Sequence, residues 1–523
     1  MRKLFNKLNP GLKHALISLL AGAASAFAFP PFGFWFILLP SMLPLWYFAC
    51  KLTPAKAFMT GWLWGLGLYL STMYWLIYVM VSYGGLPGPL AILVFFIFCL
   101  YLGLYVAIMQ WLLARLQNTK VPFWLAAPLL WAGLEFLRGI ALTGFPWLPL
   151  SLSLTTSPSL LQSAEYFGGT GLSALLVLLS TFIAYGAGFI KPLLPPRRLH
   201  YIFLVISMLF LGWIWGSQIK LVHMEKQMPA APQALVSVVQ GNIPLDQLWL
   251  QRMRSHNIME QLGTSQQAAG QATTRPWLLL WSESAAPFVF LQDVENTMPI
   301  LREAAGLRAW LALGSTGVAE YEGKLHYTNR MYLVSPEGEP VDFYDKVHLV
   351  PFGEYVPLSK LLFFVRAIAA LSIDMAPGQA GKTLQADQVT MGPLICYESI
   401  FSGLAREHKQ AGANLLVNPT NDSWFGPTGA SEQHLAHLVL RAVENRISCA
   451  RPANTGISCF ILPTGQVLEK TELFTQDART MELPLWPNNT LFSKYGEIVG
   501  MLGLLFCIGS WLFVIIRNKR NKA

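Results

Sequence analysis

The sequence predicts an integral membrane protein in which a multi-span α-helical membrane domain of about eight helices carries one α/β domain outside the cytoplasm. Three observations lead to this fold class. Hydrophobic residues make up 54% of the chain and charged residues only 12%, about half the charged share of soluble globular proteins. The apolar runs fill residues 12–217 and reappear near 496–516. The stretch between them, about 220–495, has a mixed composition and holds most of the acidic residues.

These changes in composition set the domain boundaries. Residues 1–219 are expected to form a membrane domain with seven transmembrane helices, 220–494 the outside domain, and 495–523 a C-terminal transmembrane helix with a basic cytoplasmic tail. A spanning helix needs about 20 mainly apolar residues. The segment Phe29-Pro30-Pro31-Phe32-Gly33 is a strong helix breaker and separates the first two spans. The predicted spans are 12–29, 32–50, 57–79, 89–113, 122–140, 172–190, 199–217 and 496–516.

The basic residues predict the topology, because cytoplasmic loops carry an excess of Lys and Arg. The segments before span one and after spans two, four, six and eight are basic. The loop 80–88 has no Lys or Arg, and Arg138 lies at the very edge of span five. Both termini are therefore predicted inside and the 220–495 domain outside. The basic residues are Arg2, Lys3, Lys7, Lys13, Lys51, Lys56, Arg115, Lys120, Lys191, Arg197, Arg198, Arg517, Lys519, Arg520 and Lys522.

Two alternative interpretations concern the membrane part. A basic start, an apolar stretch and Ala24-Ser25-Ala26 resemble a cleavable signal peptide, and cleavage would leave seven spans and the same outside domain. A transporter is disfavoured, since charges within spans usually mark ion or substrate pathways. Apart from Lys13 and Glu497, each one residue from a span end, only Glu135 and Arg138 lie in a predicted span, and the spacing of these two favours an i,i+3 pair at the interface. The net charge of +9 does not indicate nucleic-acid binding, because the basic residues cluster at the ends of apolar runs.

The outside domain alternates short apolar strands with helical stretches. Strands that are buried on both faces and separated by helices are typical of a layered α/β fold. Residues 247–269 and 431–446 are predicted to be helices. The predicted strands are 235–240, 277–281, 309–314, 331–335, 392–396, 415–418 and 457–462.

Several of these strands end in a polar or reactive residue. The strand at 277–281 is followed by Ser282 and Glu283, and the strand at 392–396 ends in Cys396. Asn418 ends a third strand and is followed closely by Asn421 and Asp422. In α/β sheets, ligands gather at the carboxyl ends of the strands. These residues are therefore candidates for one site.

The cysteine count adds one constraint. Of six cysteines, three lie in the outside domain: Cys396, Cys449 and Cys459. Because three is odd, at least one of these thiols stays unpaired or pairs between chains. A free thiol is unusual in an oxidising compartment. Taken alone, Cys396 would still be interpreted as a buried structural thiol, so the case for a nucleophile depends on its neighbours.

The motifs resemble those of the nitrilase superfamily. Trp281-Ser282-Glu283, Tyr344-Asp345-Lys346 and Ile395-Cys396-Tyr397-Glu398 are similar to its three motifs, and the resemblance covers roughly 233–485. Ser282 is a departure, since relatives often have proline there. The run from His348 to Pro357, set in a multi-span chain, resembles more narrowly the apolipoprotein N-acyltransferase family. The resemblance implies a nitrilase-like α-β-β-α sandwich as the catalytic domain.

The resemblance also implies a Glu-Lys-Cys triad. Cys396 would be the nucleophile, Glu283 the general base that takes its proton, and Lys346 the cation that holds the thiolate and the oxyanion. Glu354 would keep Lys346 charged and oriented. Glu398, beside Tyr397, would place a further hydrogen-bonding carboxylate next to the nucleophile. No cofactor and no metal are implied.

The expected reaction transfers an acyl chain between two lipid substrates. Cys396 would take the acyl chain from a phospholipid, with phosphatidylethanolamine as the expected donor, and pass it from a thioester to the N-terminal amine of diacylglyceryl-cysteine in an apolipoprotein. The site would lie on the periplasmic side of a bacterial inner membrane. The expected substrate contacts are Trp249, Trp424, Phe425, Phe352 and Trp147, the last equally explained as an interface anchor. Prolines and glycines in 351–385 predict a mobile loop that could serve as a lid.

Other functions remain as alternatives. A membrane-anchored amidohydrolase that uses water as acceptor would need only a single anchor, and the multi-span block argues against it. A transporter or scaffold that merely binds ligand is disfavoured by a complete Glu-Lys-Cys set. His434 and His437 have helical spacing, but no third ligand is evident, so a zinc site is not expected.

Overall fold

The computed structural model describes residues 9–117, 119–190, 196–274, 277–357 and 374–520. The chain divides into two compact units. The membrane unit comprises Met1–Ile77, Pro87–Lys220 and Tyr495–Ala523, and the α/β unit comprises Tyr78–Leu86 and Leu221–Lys494. The α/β unit therefore includes a short segment that lies, in sequence, between two apolar helices.

Helices account for most of the membrane unit and flank the sheets of the α/β unit. In chain order the described helices are α1 (Pro10–Ala24), α2 (Leu38–Ser41), α3 (Leu43–Lys51), α4 (Pro54–Thr72), α5 (Trp75–Ser82), α6 (Gly88–Leu116), α7 (Phe123–Ile140), α8 (Pro158–Leu161), α9 (Ala164–Gly186), α10 (Pro196–Gln227), α11 (Leu245–Leu248), α12 (Arg254–Gln271), α13 (Val294–Leu307), α14 (Ser402–Gln410), α15 (Ala430–Asn445), α16 (Leu491–Tyr495) and α17 (Ile498–Arg520).

The described helices support fewer membrane spans than the eight predicted. Five of them are long and apolar enough to cross a membrane, or six if the bent pair α4 and α5 forms one broken span. The predicted span 32–50 corresponds to a shorter apolar helical stretch, Trp35–Lys51, which consists of a 3₁₀ turn, α2 and α3 and is not among the five. Pro40 and Pro44 interrupt its hydrogen bonding, because proline lacks the backbone N–H that a continuous helix needs. The predicted span 199–217 lies within α10.

Close backbone contacts hold the helices of the membrane unit together. A Cβ atom placed on Gly133 of α7 would lie only 2.3 Å from the backbone of Gly503 in α17. A Cβ atom on Gly65 of α4 would lie 2.8 Å from the Cα atom of Gly103 in α6. Small residues at helix contacts are typical of membrane proteins, where packing rather than the hydrophobic effect drives association.

Two mixed β-sheets form the α/β unit. The strands are β1 (Gln233–Gln240), β2 (Trp277–Leu280), β3 (Ala286–Val289), β4 (Ala309–Tyr321), β5 (Lys324–Val334), β6 (Pro340–Asp345), β7 (Leu384–Ala386), β8 (Val389–Pro393), β9 (Leu415–Val417), β10 (Ser448–Arg451), β11 (Cys459–Ile461), β12 (Val467–Leu468) and β13 (Asp477–Pro484). The first sheet has the order β13-β1-β2-β4-β5-β6, with β3 paired to β4, and the second has the order β12-β11-β10-β9-β8-β7. In the first sheet β1, β2 and β4 are parallel, and in the second β8, β9 and β10 are parallel.

The core lies between the two sheets. Val236 and Leu278 of the first sheet belong to the same buried cluster as Met391 and Val417 of the second. A second cluster packs α12 and α13 against the outer face of the first sheet. On the second sheet, α14 packs on β8 and α15 on β10. The order of layers is therefore helices, sheet, sheet, helices.

The strand predictions agree with the structure in seven places. β1, β2, β4, β5, β8, β9 and β11 overlap the predicted segments. The segment 392–396 is corrected, because β8 ends at Pro393 and Cys396 begins a 3₁₀ turn. The predicted helix 247–269 begins later, with α12 at Arg254. Within the predicted lid loop 351–385, residues 358–373 lie outside the described residues.

The segment Tyr78–Leu86 packs against loops of the α/β unit. Tyr83 packs on a small apolar cluster of Ile243, Leu245 and Leu248. Its hydroxyl donates to the carbonyl oxygen of Ser423 at 3.1 Å, and its ring meets that of Trp424 edge-on at 5.1 Å. A connection between two apolar helices thus supports two loops that follow strands β1 and β9.

The contact between α7 and α17 leads to a first prediction. Gly503→Leu should lower the unfolding temperature in detergent, because a Cβ atom there would lie 2.5 Å from the Gly133 nitrogen and force the helices apart. Overpacking of this kind typically costs about 1–3 kcal/mol. Gly509→Leu on the same helix is the matched control, since a Cβ atom on Gly509 meets no described atom within 4 Å. Equal unfolding temperatures for the two variants would contradict the predicted helix contact.

Candidate active site

Four strand ends bring the candidate site together. Glu283 follows β2, Lys346 follows β6, Cys396 follows β8 and Asn421 follows β9. β2 and β6 belong to one sheet, and β8 and β9 belong to the other. The backbone N–H of Asn421 donates to Glu283 Oε2 at 3.0 Å, so the two sheets are joined directly at this edge.

Lys346 lies at the centre of the site. Its side chain is 1% exposed, and its Nζ lies 2.9 Å from Glu354 Oε1 and 3.4 Å from Glu283 Oε1. Glu354 Oε2 also accepts from the backbone N–H of Val350 at 2.7 Å. The sequence analysis predicted that Glu354 keeps Lys346 charged and oriented. The contact between Glu354 Oε1 and Lys346 Nζ is consistent with that role.

Asn329 is a member of the site that the sequence analysis missed. Its Nδ2 donates to Glu283 Oε1 and to Glu354 Oε1, each at 2.8 Å. Asn329 therefore separates the two carboxylates and fixes one oxygen of each. It lies in the middle of β5, and no local pattern marks it. Its pairing opposite Thr316 of β4, which in turn pairs with Val289 of β3, becomes visible only once the sheet is built.

The charges of the site favour an ammonium beside a protonated thiol. Burial alone would lower the pKa of Lys346, but the carboxylates of Glu354 and Glu283 hold it above its ordinary value. Burial raises the pKa of the Cys396 thiol; the Glu283 charge raises it further, and Lys346 opposes this. At rest Cys396 therefore keeps its proton, and it could act as a nucleophile only if a base removed that proton.

The backbone at Cys396 adopts a left-handed conformation, with φ at 51°. Such a conformation costs a non-glycine residue about 1–3 kcal/mol and persists only where the surroundings enforce it. Its N–H donates to the carbonyl oxygen of Pro419 at 2.9 Å. Its own carbonyl oxygen accepts from His434 Nε2 at 2.9 Å and from Asn418 Nδ2 at 3.2 Å. Both peptide groups of the nucleophile are thus fixed.

The carboxylate of Glu398 contacts backbone rather than the nucleophilic side chain. Its Oε1 accepts from the N–H groups of Val347 and His348 at 2.7 and 3.1 Å, and its Oε2 accepts from the N–H of Ile395 at 2.6 Å. The Tyr344 hydroxyl donates to it at 3.1 Å. Burial raises the pKa of Glu398 to about 7, against the effect of these donors. Glu398 thus ties the Lys346 segment to the Cys396 segment.

Behind Cys396 lies a buried polar network. Arg451 Nη2 donates to Asp422 Oδ2 at 2.8 Å, and Asp422 Oδ1 lies 2.9 Å from His434 Nδ1. Arg451 also donates through Nη1 to Asn418 Oδ1. These four side chains are at most 1% exposed. The sequence analysis noted Asn418 and Asp422 as polar residues after a strand but did not connect them with His434 or Arg451.

The expected substrate-contact residues occupy different environments. Trp249 and Phe352 are each 48% exposed and Trp424 is 38% exposed. The Phe425 ring lies edge-on to His434 at 5.9 Å. Trp147 belongs to the membrane unit and is buried, with its ring 5.0 Å from that of Trp75. Trp147 is therefore buried and not an exposed aromatic in this structure. Tyr397 is buried, edge-on to Phe401 at 5.2 Å.

The Asp422 ion pair predicts a pH dependence of stability. Burial would raise the pKa of Asp422, but the charges of Arg451 and His434 lower it from 3.8 to about 2. A depressed carboxyl pKa stabilises the fold above the unfolded value, and this contribution, about 2 kcal/mol, is lost as pH falls from about 4 towards 2. Asp422→Asn should remove this part of the acid sensitivity of the unfolding temperature and lower stability at neutral pH, because Arg451 is left buried without its anion.

The matched control is Asp477→Asn, which removes a partly exposed carboxylate paired with Arg479 at 2.8 Å. Exposed pairs contribute little, so this variant should follow the wild-type curve. An Asp422→Asn protein with an unchanged slope of unfolding temperature between pH 2 and about 4 would contradict the assignment.

Comparisons with known proteins cover both units. Residues 21–182 match the apolipoprotein N-acyltransferase N-terminal domain, and residues 235–485 match the carbon-nitrogen hydrolase family. An apolipoprotein N-acyltransferase of Geobacter metallireducens is 34% identical over 92% of this chain and 92% of its own length. That of Methylococcus capsulatus is 30% identical over 98% of this chain and 97% of its own length.

Among solved structures, a carbon-nitrogen hydrolase from Helicobacter pylori aligns with 48% of this chain and 89% of its own, with 16% identity and a TM-score of 0.38. The full-length relatives and the two domain matches agree with one another. The chain belongs to the apolipoprotein N-acyltransferase family, with a nitrilase-like carbon-nitrogen hydrolase domain.

Proposed function

We propose that this protein transfers an acyl chain from a phospholipid, with phosphatidylethanolamine as the first candidate, to the N-terminal amine of diacylglyceryl-cysteine in apolipoproteins. Family membership supports N-acylation of lipoproteins in general. The observation that carries the finer proposal is the buried ammonium of Lys346, held by Glu283 and Glu354 beside Cys396. This arrangement suits acyl transfer through a cysteine.

In the first half-reaction, the Cys396 sulfur attacks the ester carbonyl carbon of the phospholipid while Glu283 accepts the thiol proton. The carbonyl oxygen becomes an oxyanion, which the Lys346 ammonium stabilises. Collapse of this intermediate breaks the bond to the glycerol oxygen, and that oxygen leaves with the proton held by Glu283. The products are a thioester on Cys396 and a lysophospholipid, and the carboxylate is restored.

In the second half-reaction, the lipoprotein amine attacks the thioester carbonyl. An α-amino group has an ordinary pKa of about 7.7–8.0, so a useful fraction is neutral and nucleophilic near pH 7. Glu283 accepts the proton that the amine loses, and the Cys396 sulfur leaves and is protonated again. The result is an amide on the lipoprotein and the free enzyme. The same carboxylate thus serves both halves of a ping-pong reaction.

The protein is proposed to act at the outer face of the bacterial inner membrane, with both termini in the cytoplasm. The alternation of basic and neutral loops supports this orientation. Membrane location suits the chemistry, because both substrates are lipids. Exposed Trp249, Trp424 and Phe352 are proposed to contact acyl chains. Trp147, which is buried in this structure, remains a candidate for substrate contact or for anchoring at the membrane interface.

The first test is direct observation of the acyl-enzyme. Incubation of the purified protein with phosphatidylethanolamine of one defined acyl chain should add the mass of one acyl group, and hydroxylamine should remove it. Cys396→Ala should abolish the adduct. Cys50→Ala, which removes a thiol in the membrane unit, is the control and should leave it unchanged.

Addition of a diacylglyceryl peptide should then discharge the adduct to the peptide amine. Discharge to water at the same rate with and without the peptide would instead indicate an amidohydrolase-like activity. Absence of any adduct on folded protein with a free Cys396 would contradict the phospholipid donor.

The role of Glu283 as base gives a separate prediction. Glu283→Gln should slow formation of the acyl-enzyme by about 10²–10⁴-fold, because an amide cannot accept the thiol proton. Glu354→Gln is the matched comparison, since both carboxylates contact Lys346 and Asn329. It should cause a much smaller loss, because Glu283 remains to accept the proton. The measurement is the single-turnover rate of acyl-enzyme formation, followed by intact mass. Equal losses of this rate in the Glu283→Gln and Glu354→Gln variants would show that both residues only hold Lys346.

A further inference from the structure

The buried network behind Cys396 has a geometry that the reaction steps above do not use. The carbonyl oxygen of Cys396 accepts two hydrogen bonds, from His434 Nε2 and Asn418 Nδ2. Each donor is oriented by a second side chain: His434 by Asp422, and Asn418 by Arg451. Arg451 also binds Asp422, so both arms start from one guanidinium.

The elements that supply this network are distant in sequence. Arg451 ends β10, Asn418 follows β9, and His434 lies in the first half of α15. Arg451 Nε further donates to the carbonyl oxygen of Ile457 at 3.2 Å, which fixes the plane of the guanidinium. Because all three nitrogens of this planar group are hydrogen-bonded, Asp422 and Asn418, which bind to it, have little rotational freedom.

Net stability alone does not account for such a network. A buried ion pair is often worth no more than well-packed apolar residues of similar volume, because desolvation offsets the Coulomb attraction. The network instead orients two hydrogen-bond donors, His434 Nε2 and Asn418 Nδ2, towards the carbonyl oxygen of Cys396. That carbonyl belongs to the left-handed residue Cys396, whose conformation needs enforcement.

The peptide bond that follows Cys396 explains why the direction matters. A trans peptide is planar, so its N–H points away from its C=O. Donors that fix the Cys396 carbonyl therefore also fix the N–H of Tyr397. Tyr397 is the second residue of the 3₁₀ segment Cys396–Ile400, where a helical N–H lacks an acceptor within its own segment. Among the described residues, none accepts a hydrogen bond from this N–H.

We propose that Asp422, His434, Asn418 and Arg451 are positioning residues that hold the peptide between Cys396 and Tyr397, so that the Tyr397 N–H joins Lys346 in stabilising the oxyanion. This proposal rests on the proposed function in that Cys396 is the nucleophile. It adds a set of residues that never touch the substrate and act only through the nucleophile's own peptide group.

Two substitutions of His434 separate the two bonds of its ring. His434→Gln places an amide nitrogen near the position of Nε2 and so keeps a donor for the Cys396 carbonyl. His434→Asn places its amide nitrogen near the position of Nδ1, so it keeps the contact with Asp422 but cannot reach the carbonyl. His437→Gln, one turn further along α15 and equally buried, is the control for loss of a buried imidazole.

Three quantities are measured for each variant: the single-turnover rate of Cys396 acylation, the rate of Cys396 alkylation by iodoacetamide, and the unfolding temperature. Acylation passes through an oxyanion and alkylation does not. We expect His434→Asn to slow acylation by about 10- to 100-fold, the loss that a misplacement near 1 Å causes. Its alkylation rate should change far less. His434→Gln and His437→Gln should acylate much faster than His434→Asn.

Several results would overturn the proposal: equal acylation by the Asn and Gln variants, or a parallel fall of acylation and alkylation, which a loosened fold would produce. Acylation is measured with phosphatidylethanolamine and, in parallel, with a p-nitrophenyl ester. If only the p-nitrophenyl ester acylates wild-type Cys396, the phospholipid donor is wrong, while the comparison of variants still decides the positioning role. If neither donor acylates Cys396, both proposals fail.

Discussion

The buried ammonium of Lys346 is the constraint on which the rest of the site depends. Removing an ammonium group from water costs several kcal/mol unless anions and hydrogen bonds replace the solvent. Glu354 and Glu283 supply the anions, and each of them then needs donors of its own. Asn329 and the backbone N–H groups of Val350 and Asn421 provide these donors. The single charge of Lys346 thus requires the Asn329 side-chain amide and two backbone N–H groups to meet at the edge where the two sheets are joined.

The same constraint sets the chemistry. Burial raises the pKa of Cys396, and the charge of Glu283 raises it further against the effect of Lys346, so that the thiol keeps its proton at rest. A resting thiol is protected from oxidation, because the thiolate is the reactive form. In the proposed mechanism, proton removal is therefore coupled to attack on the substrate carbonyl, and the Lys346 ammonium stabilises the oxyanion that develops.

The sequence predicted what is local and missed what depends on pairing. Glu283, Lys346 and Cys396 each follow a strand, and strand ends can be recognised from short apolar runs. Asn329 and His434 lie inside a strand and a helix, where nothing in the neighbouring residues distinguishes them from packing residues. His434 was considered only as a metal ligand, because its spacing to His437 is visible in sequence whereas its contact with the Cys396 carbonyl is not. In the membrane unit, hydropathy located the apolar stretches, but the helical stretch within 32–50 is shorter than predicted, because composition does not weigh the interruptions that prolines introduce.

The segment Tyr78–Leu86 gives a physical reason for more than a single anchor. A soluble domain held at a membrane needs one attachment, but here the chain enters the α/β unit twice, once through this short segment and once through Leu221–Lys494. Tyr83 packs beneath the loop that leads to Trp249 and hydrogen-bonds the loop that carries Trp424. The α/β unit is therefore completed by residues encoded between two apolar helices. The loops that bear the exposed tryptophans keep their packing only while that connection is intact, so separating the α/β unit at residue 221 would remove part of its own structure.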